Sequence, residues 1–197
     1  MEESLECLRR LLTEDTSSFA GKFFQYEGIQ MYPKPVQKPL PIYIGGNSEK
    51  ALERVAKHGA GWFPAYLSPQ AIQGRLPRLV NYLEKESRHL NEIDIAPQLL
   101  VGLGRDKESA TETFKRTGLY EHVVSLKAST MKHDDIKALD DFNLIGSPDD
   151  VVEKVKNYEA VGVTHLTGML FAAQTLAEFE EQMEIFAKSV IPAFKKS

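Results

Sequence analysis

Apolar and polar positions follow two different spacings along this chain, and the spacing changes near residue 41. Residues 2–14 carry leucines three or four positions apart, which predicts an amphipathic helix. Residues 15–40 combine aromatic residues with scattered glycines and three prolines near their end. Because aromatic side chains favour burial, we expect an ordered surface excursion there, with one or two short strands between residues 23 and 31.

From residue 41 onward, short apolar runs alternate with amphipathic helices. This order predicts an α/β fold with about four parallel βα units, since parallel strands need helical crossovers. Pro77 predicts a kink or break in one helix, and residues 119–145 predict a short helix or two with little strand character. The predicted strands are 41–45, 60–65, 94–103 and 163–169, and the predicted helices are 48–58, 69–88, 106–118, one from Ser147 to about residue 160, and one that Thr175 and Glu178 begin as a capping box.

The amino-acid composition of the chain argues against some classes of function. The chain has 197 residues, is 42% hydrophobic and 26% charged, and carries a net charge of -4 without any basic block, which argues against a nucleic-acid partner. We expect a single domain over residues 1–197, with a helix and excursion in 1–40 and the βα units in 41–197. The lone cysteine, Cys7, lies in a leucine-rich helix and is expected to be a buried structural thiol. No apolar stretch has membrane-spanning length, so we expect a cytoplasmic protein that binds no membrane.

The first candidate site is the turn Gly45-Gly46-Asn47-Ser48. It follows an apolar strand and leads directly into a helix, so its glycines and the first helical amides could converge on an anion such as a cofactor phosphate. Ser48 is expected to cap the helix, and its hydroxyl could also contact the phosphate. The alternative interpretation is that the two glycines only permit a tight βα turn, and the residues alone favour neither.

The second candidate site is the end of the next strand. Trp62 and Phe63 are expected to belong to the core. Pro64, Ala65 and Tyr66 fall at a carboxyl strand end, where the working face of a parallel α/β fold lies. Tyr66 could line a flat ring system or pack in the core, and both interpretations stay open.

The chain shows no sign of a nucleophile, an acid–base pair or a metal site in its sequence. Its five histidines lack metal-ligand spacing, and no nucleophile-elbow or zinc-protease motif is present. A phosphate site without visible catalytic residues is typical of a protein whose cofactor supplies the chemistry. We therefore expect no metal, and the catalytic residues stay unknown.

Three segments together resemble the luciferase-like family of flavin- or deazaflavin-dependent oxidoreductases. They are FAGKFFQYEGIQMYPKPVQKP, PKPVQKPLPIYIGGNSEKALERVAKHGAGWFP and IGSPDDVVEKVKNYEAVGVTHL, and they follow the family's order and spacing over essentially the whole chain. The resemblance implies a (β/α)8 TIM barrel that binds FMN or coenzyme F420 at its carboxyl face. It places the cofactor phosphate at Gly45, Gly46, Asn47 and Ser48, and the tricyclic ring beside Pro64, Ala65 and Tyr66.

The chain also departs from the family. A complete barrel needs about 250 residues, and this chain offers four βα units that correspond to strands five to eight of the family. The resemblance therefore implies a partial, truncated barrel whose first and last strands are open edges, completed by a second copy or another chain, or a shortened gene product.

Two functions follow as expectations. The first is a flavin- or F420-dependent oxidoreductase of the monooxygenase type, or its C-terminal half, acting on a small organic substrate. The alternative is a non-catalytic half-barrel that assembles with itself or a partner. A third interpretation, a general α/β domain that binds sugar phosphates, rests on the glycine turn alone.

Overall fold

A computed structural model describes residues 1–126 and 142–195. The chain divides into two units, which are described separately: Met1–Trp62 with Leu79–Ile93, and Phe63–Arg78 with Asp94–Ser197. The helices are α1 Glu2–Thr13, α2 Glu49–His58, α3 Pro69–Gln73, α4 Leu76–Lys85, α5 Lys107–Lys115, α6 Gly118–Leu126, α7 Pro148–Ala160 and α8 Leu176–Ile185, which continues as a π-helical segment over Phe186–Val190 and a 3-10 turn over Ile191–Phe194. The strands are β1 Ser17–Ala20, β2 Gln25–Ile29, β3 Tyr43–Gly45, β4 Gly61–Phe63, β5 Asp94–Ile95, β6 Gln98–Leu103, β7 Leu144–Gly146 and β8 Gly168–Phe171.

The expected excursion is an antiparallel hairpin of β1 and β2 in the first unit. The rings of Phe19 and Tyr26 stack across the two strands, with centroids 6.0 Å apart. Strand β2 confirms one short strand between residues 23 and 31, whereas its partner β1 lies before the predicted range. The expected burial of the aromatic residues is not confirmed for all of them, because the Phe23 side chain at the hairpin tip is 74% exposed.

Strand β3, the neighbouring strand β4 and helix α2 form the part of the first unit that carries the glycine turn. Helix α2 buries the face predicted from its apolar spacing, which consists of Ala51, Leu52, Val55 and Ala56. The prediction of a strand, a glycine turn and an amphipathic helix is confirmed.

The second unit contains a parallel sheet in the order β7-β6-β8. Strand β6 pairs in parallel with both neighbours, with Val101 opposite Leu144 on one side and Leu100 opposite Leu170 on the other. The side chains of β6 from Leu99 to Val101 are fully buried, as expected for a parallel strand covered on both faces. The predicted α/β class with parallel strands is confirmed in this sheet.

Several predicted strand boundaries are wrong. The predicted strand 94–103 is interrupted between β5 and β6, where Pro97 has no N–H for a ladder hydrogen bond. The predicted strand 163–169 begins only at Gly168, while Thr164 and His165 donate their N–H groups to the carbonyl of Ile95. Strand β7 lies in a segment where the sequence predicted little strand character.

Helix boundaries follow the local signals more closely. The predicted break near Pro77 is confirmed, and it falls at Gly74–Arg75, so Pro77 lies in the first turn of α4, where proline is tolerated. Helix α7 begins at its N-cap Ser147 as predicted, and Ser147 forms a capping box with Asp150. Helix α6 confirms the short helix predicted after residue 119, and residues 127–141 of that segment lie outside the described residues. No helix among residues 1–126 and 142–195 is long and apolar enough to cross a membrane.

Candidate functional site

The candidate site in the first unit is the turn between β3 and α2. Gly46 has a φ of +114°, a backbone conformation that side-chain-bearing residues rarely adopt. A Cβ added at Gly46 would lie 3.2 Å from the Cβ of Ala51 in the first turn of α2. The backbone conformation therefore favours glycine at this position, and any side chain here would also press against Ala51.

Trp62 fixes this turn from the adjacent strand β4. Its indole is fully buried, which confirms the prediction of a core residue. Its Nε1–H also donates to the carbonyl oxygen of Gly46 at 2.9 Å, a contact that the sequence did not predict. Because the peptide group is planar and trans, the N–H of Asn47 then points away from the buried indole.

Ser48 caps helix α2 as predicted. Its Oγ accepts a hydrogen bond from the N–H of Ala51 at 3.3 Å, and its carbonyl oxygen accepts from Leu52 at 3.2 Å. Gly45, Gly46 and Ser48 are exposed and Asn47 is half-buried, so the turn is open to a ligand. The amino end of α2 adds the partial positive charge of the helix dipole.

The opposite end of α2 is neutralised by two arginines. Arg88 donates to the carbonyl oxygen of Ala56 at 2.8 Å, and Arg9 donates to that of His58. His58 lies in the last turn of α2, where a protonated imidazole would favour the helix dipole. Desolvation lowers the pKa of His58, however, and the neighbouring Arg9 lowers it further. The two arginines therefore supply the positive charge at the carboxyl end of α2.

The residues predicted to border a cofactor ring lie in the second unit. The carbonyl oxygen of Pro64 accepts from Gln98 at 2.7 Å, and Tyr66 donates its N–H to Gln98 at 3.0 Å, which ties this strand end to β6. Ala65 is half-buried and Pro64 is buried. The prediction for these three residues stays a prediction.

Tyr66 itself belongs to the core of the second unit. Its side chain is only 4% exposed and packs in one apolar cluster with Leu100 and Phe114, and desolvation raises the pKa of its phenol. Its φ of +53° is unusual for a residue with a bulky side chain. Of the two interpretations left open for Tyr66, the structure favours packing in the core.

A polar groove of about 630 Å³ lies in the second unit at the carboxyl ends of β6 and β8. Its charged lining residues are two arginines, Arg105 and Arg116, and two glutamates, Glu178 and Glu181. Gln182 of α8 also lines the groove. Its amide accepts from the N–H of Leu103 at 2.6 Å and donates to the carbonyl oxygen of Leu103 at 2.8 Å. The sequence did not predict this groove, since these side chains form no local motif and meet only through the fold.

The lone cysteine lies in a buried, structural setting. Cys7 is buried in α1 as predicted; desolvation, followed by the carboxylates of Glu3 and Glu6, raises the pKa of its thiol. Within the described parts of the chain, no group of three or more His, Cys, Asp or Glu residues is arranged to hold a metal ion. His133 lies outside the described residues.

Comparison with known proteins places this sequence in a family. The family described as luciferase-like monooxygenase matches residues 1–165. An FMNH2-dependent dimethylsulfone monooxygenase from Pseudomonas putida is 23% identical, aligned over 99% of this chain and 58% of its own length. A 5,10-methylenetetrahydromethanopterin reductase from Archaeoglobus fulgidus is 21% identical, aligned over 99% of this chain and 66% of its own length. The chain thus spans about three-fifths of the length of these relatives.

Solved structures show the same fold. The coenzyme F420-dependent tetrahydromethanopterin reductase of Methanopyrus kandleri superposes with a TM-score of 0.73 at 20% identity, over 98% of this chain and 62% of the other. A monooxygenase from Streptomyces bottropensis superposes with a TM-score of 0.75 at 21% identity, over 98% and 60%. Since the family match covers most of the sequence, the chain belongs to the luciferase-like monooxygenase family.

Proposed function

We propose that this chain is the C-terminal part of a (β/α)8 barrel and acts in a flavin- or F420-dependent oxidoreductase, with the cofactor phosphate bound at Gly45–Ser48. The observation that carries the proposal is the turn itself. Its glycine has a positive φ, a fixed carbonyl and an exposed approach to the amino end of a capped helix. This arrangement fits a phosphate because backbone N–H groups and the helix dipole both favour an anion there.

The residues of the chain would position the cofactor. FMN or coenzyme F420, when bound, supplies the redox chemistry. The indole of Trp62 keeps the Gly46 peptide in one orientation, and Ser48 keeps the first turn of α2 intact, so both hold the turn in shape before a ligand arrives. Preorganisation of this kind strengthens binding because the turn loses little conformational entropy when the ligand binds.

Relatives support both cofactors and several substrates. The Pseudomonas putida relative is named for FMNH2 and dimethylsulfone. A relative from Nakamurella multipartita, 24% identical over 84% of this chain, is named for F420 and glucose 6-phosphate. We therefore propose a small organic substrate and leave the cofactor as FMN or F420.

The test is a cofactor titration with two glycine variants. We expect saturable binding of FMN or F420 by the wild-type chain, followed by fluorescence quenching, and competition by inorganic phosphate. Gly46→Val should weaken binding at least tenfold, because valine at this φ is strained and its side chain would crowd Ala51.

The matched control is Gly28→Val in β2. Gly28 also has a positive φ, +63°, but no atom lies within 4 Å of its added Cβ. This variant also places valine at a positive φ in the same unit and should leave cofactor affinity unchanged. Equal affinity of Gly46→Val and wild type would overturn the phosphate assignment.

A second candidate function is a non-catalytic half-barrel that assembles with itself or a partner. One observation favours it: among the described strands, β8 pairs with β6 alone and leaves its other edge open. A chain that binds neither FMN nor F420 but associates in solution would support this function over the first.

A further inference from the structure

A second cavity, of about 400 Å³, lies wholly within the second unit on the amino-terminal side of β8. Its walls are mainly apolar and come from α7, from the segment before β8, and from the C-terminal helical segments. Cavities of this size hold small molecules; an apolar cavity of about 150 Å³ already admits benzene. The main apolar wall residues are Val155, Val163, Met169, Phe186, Val190 and Ile191.

One anchored polar group on the cavity wall is the half-exposed imidazole of His165. Its Nδ1 lies 3.2 Å from Oδ1 of Asp94 and 3.1 Å from the hydroxyl of Thr164. The same hydroxyl lies 3.2 Å from Oδ1 of Asp94 and accepts from the N–H of Ile95 at 3.0 Å. The backbone of His165 donates to the carbonyl oxygen of Ile95, so main chain and side chain both fix the residue.

This anchoring determines which hydrogen bond the imidazole offers to a ligand. An ionised carboxylate only accepts hydrogen bonds, so Nδ1 carries the proton that faces Asp94. In a neutral imidazole, Nε2 is then an acceptor, and among the described residues it has no hydrogen-bond partner. A ligand that bonds Nε2 of the neutral imidazole must therefore present a donor, such as a hydroxyl group.

We propose that this cavity binds a small, neutral, apolar molecule with one hydroxyl group, an alcohol or a phenol, whose hydroxyl donates to Nε2 of His165. Neutrality follows from the other charged lining groups, Glu159 and Lys195, whose opposite charges give the cavity no net preference for an ion. The hydroxyl of Tyr158 does not compete, because it donates to the carbonyl oxygen of Leu67 at 2.9 Å. The cavity belongs to the second unit, whereas the proposed phosphate turn belongs to the first.

The experiment compares two probes that differ by one hydroxyl. Calorimetric titration of the full chain with 4-ethylphenol should show saturable binding, and ethylbenzene should bind more weakly. His165→Leu should reduce the affinity for 4-ethylphenol about two- to tenfold, the range of one hydrogen bond, without weakening ethylbenzene. His122→Leu, an exposed histidine in α6, is the control and should bind both probes as wild type does.

A second variant tests the cavity without His165. Ile191 is partly exposed on the wall, so Ile191→Arg should fold and should weaken both probes by bringing a charge to an apolar surface. Three results would each overturn the proposal: no saturable binding by wild type, equal affinity for the two probes, or an Ile191→Arg variant that binds 4-ethylphenol unchanged. Since none of these measurements involves flavin or F420, failure here is distinguishable from failure of the proposed cofactor function.

Discussion

At the scale of single residues, Glu3 shows how one carboxylate orders a loop. Its oxygens accept hydrogen bonds from the N–H groups of Phe24 at 2.6 Å, Phe23 at 2.8 Å and Lys22 at 3.2 Å, all at the tip of the β1–β2 hairpin. Desolvation acts to raise the pKa of Glu3, but these backbone donors outweigh it and lower the pKa. Helix α1 and the hairpin are thus joined through an ionised side chain.

We expect this contact to make stability depend on pH. Because the folded pKa of Glu3 lies below the ordinary glutamate value of about 4.3, its contribution is present above that pH and is lost as the pH falls through the folded pKa. Glu3→Gln should be less stable than wild type at pH 6, and the difference should shrink below pH 4. Urea unfolding at several pH values measures this difference.

The control is Glu2→Gln. Glu2 lies on the same helical turn, and its carboxylate is 3.9 Å from Nε of Arg54, without the backbone donors. A stability difference for Glu3→Gln that stays constant between pH 6 and pH 3 would contradict the role given to its ionised form.

The glycine turn shows what could be predicted at single residues. Gly46, Ser48 and the buried face of α2 follow rules that act within a few positions, and the structure places them as the sequence predicts. The hydrogen bond from Trp62 joins residues 16 positions apart and depends on how β4 aligns with β3. Tyr66 likewise reaches the core through tertiary packing, which no local pattern could indicate.

At the scale of elements, a single side chain attaches α8 to the end of β6. The amide of Gln182 makes two hydrogen bonds to the backbone of Leu103, one as acceptor and one as donor. Because the pairing of β8 with β6 ends at Val101, the side-chain amide takes the place of a ladder partner on that side of Leu103. Rings from β8 and the helical segments add edge-to-face contacts, with Phe171 5.9 Å from Phe179 and 5.7 Å from Phe186.

Gln182→Leu should lower the free energy of unfolding by about 1–3 kcal/mol, because two partly buried backbone groups lose their partners. The neighbouring variant Glu181→Leu, at an exposed position, should change stability by less than about 0.5 kcal/mol. Urea unfolding followed by circular dichroism measures both. Equal stability of the two variants would show that the double hydrogen bond does not stabilise the attachment of α8.

The starts of helices could be predicted where a capping residue marks them in the sequence. The starts of α2, α7 and α8 each have a side-chain cap, and each helix begins where its cap predicted. Strands lack such signals, so the break at Pro97 and the late start of β8 were missed. Strand β7 is only three residues long, which is too short for periodicity to reveal.

At the scale of the whole molecule, the open edge of β8 is the feature with the largest consequence. In the part of the chain that the structure describes, β8 pairs only with β6, and the nearby helix α8 exposes Leu176, Phe179 and Met183. Unpaired strand edges recruit other strands unless they are covered. The alternation of N–H groups along a strand shows which residue to change: Ala172 donates to Val101 of β6, so Leu170 also faces β6 and Met169 faces the open edge.

We therefore expect wild type to self-associate with increasing concentration in sedimentation velocity experiments. Met169→Pro removes a donor from the open edge and should reduce this association while the chain stays folded, since edge positions tolerate proline. Leu170→Pro removes a donor that faces β6 and should instead destabilise the sheet. A chain that stays monomeric at all concentrations, or a Met169→Pro variant that associates as wild type does, would show that this edge is not where copies meet. Association through the edge would mean that the parallel sheet is extended between chains.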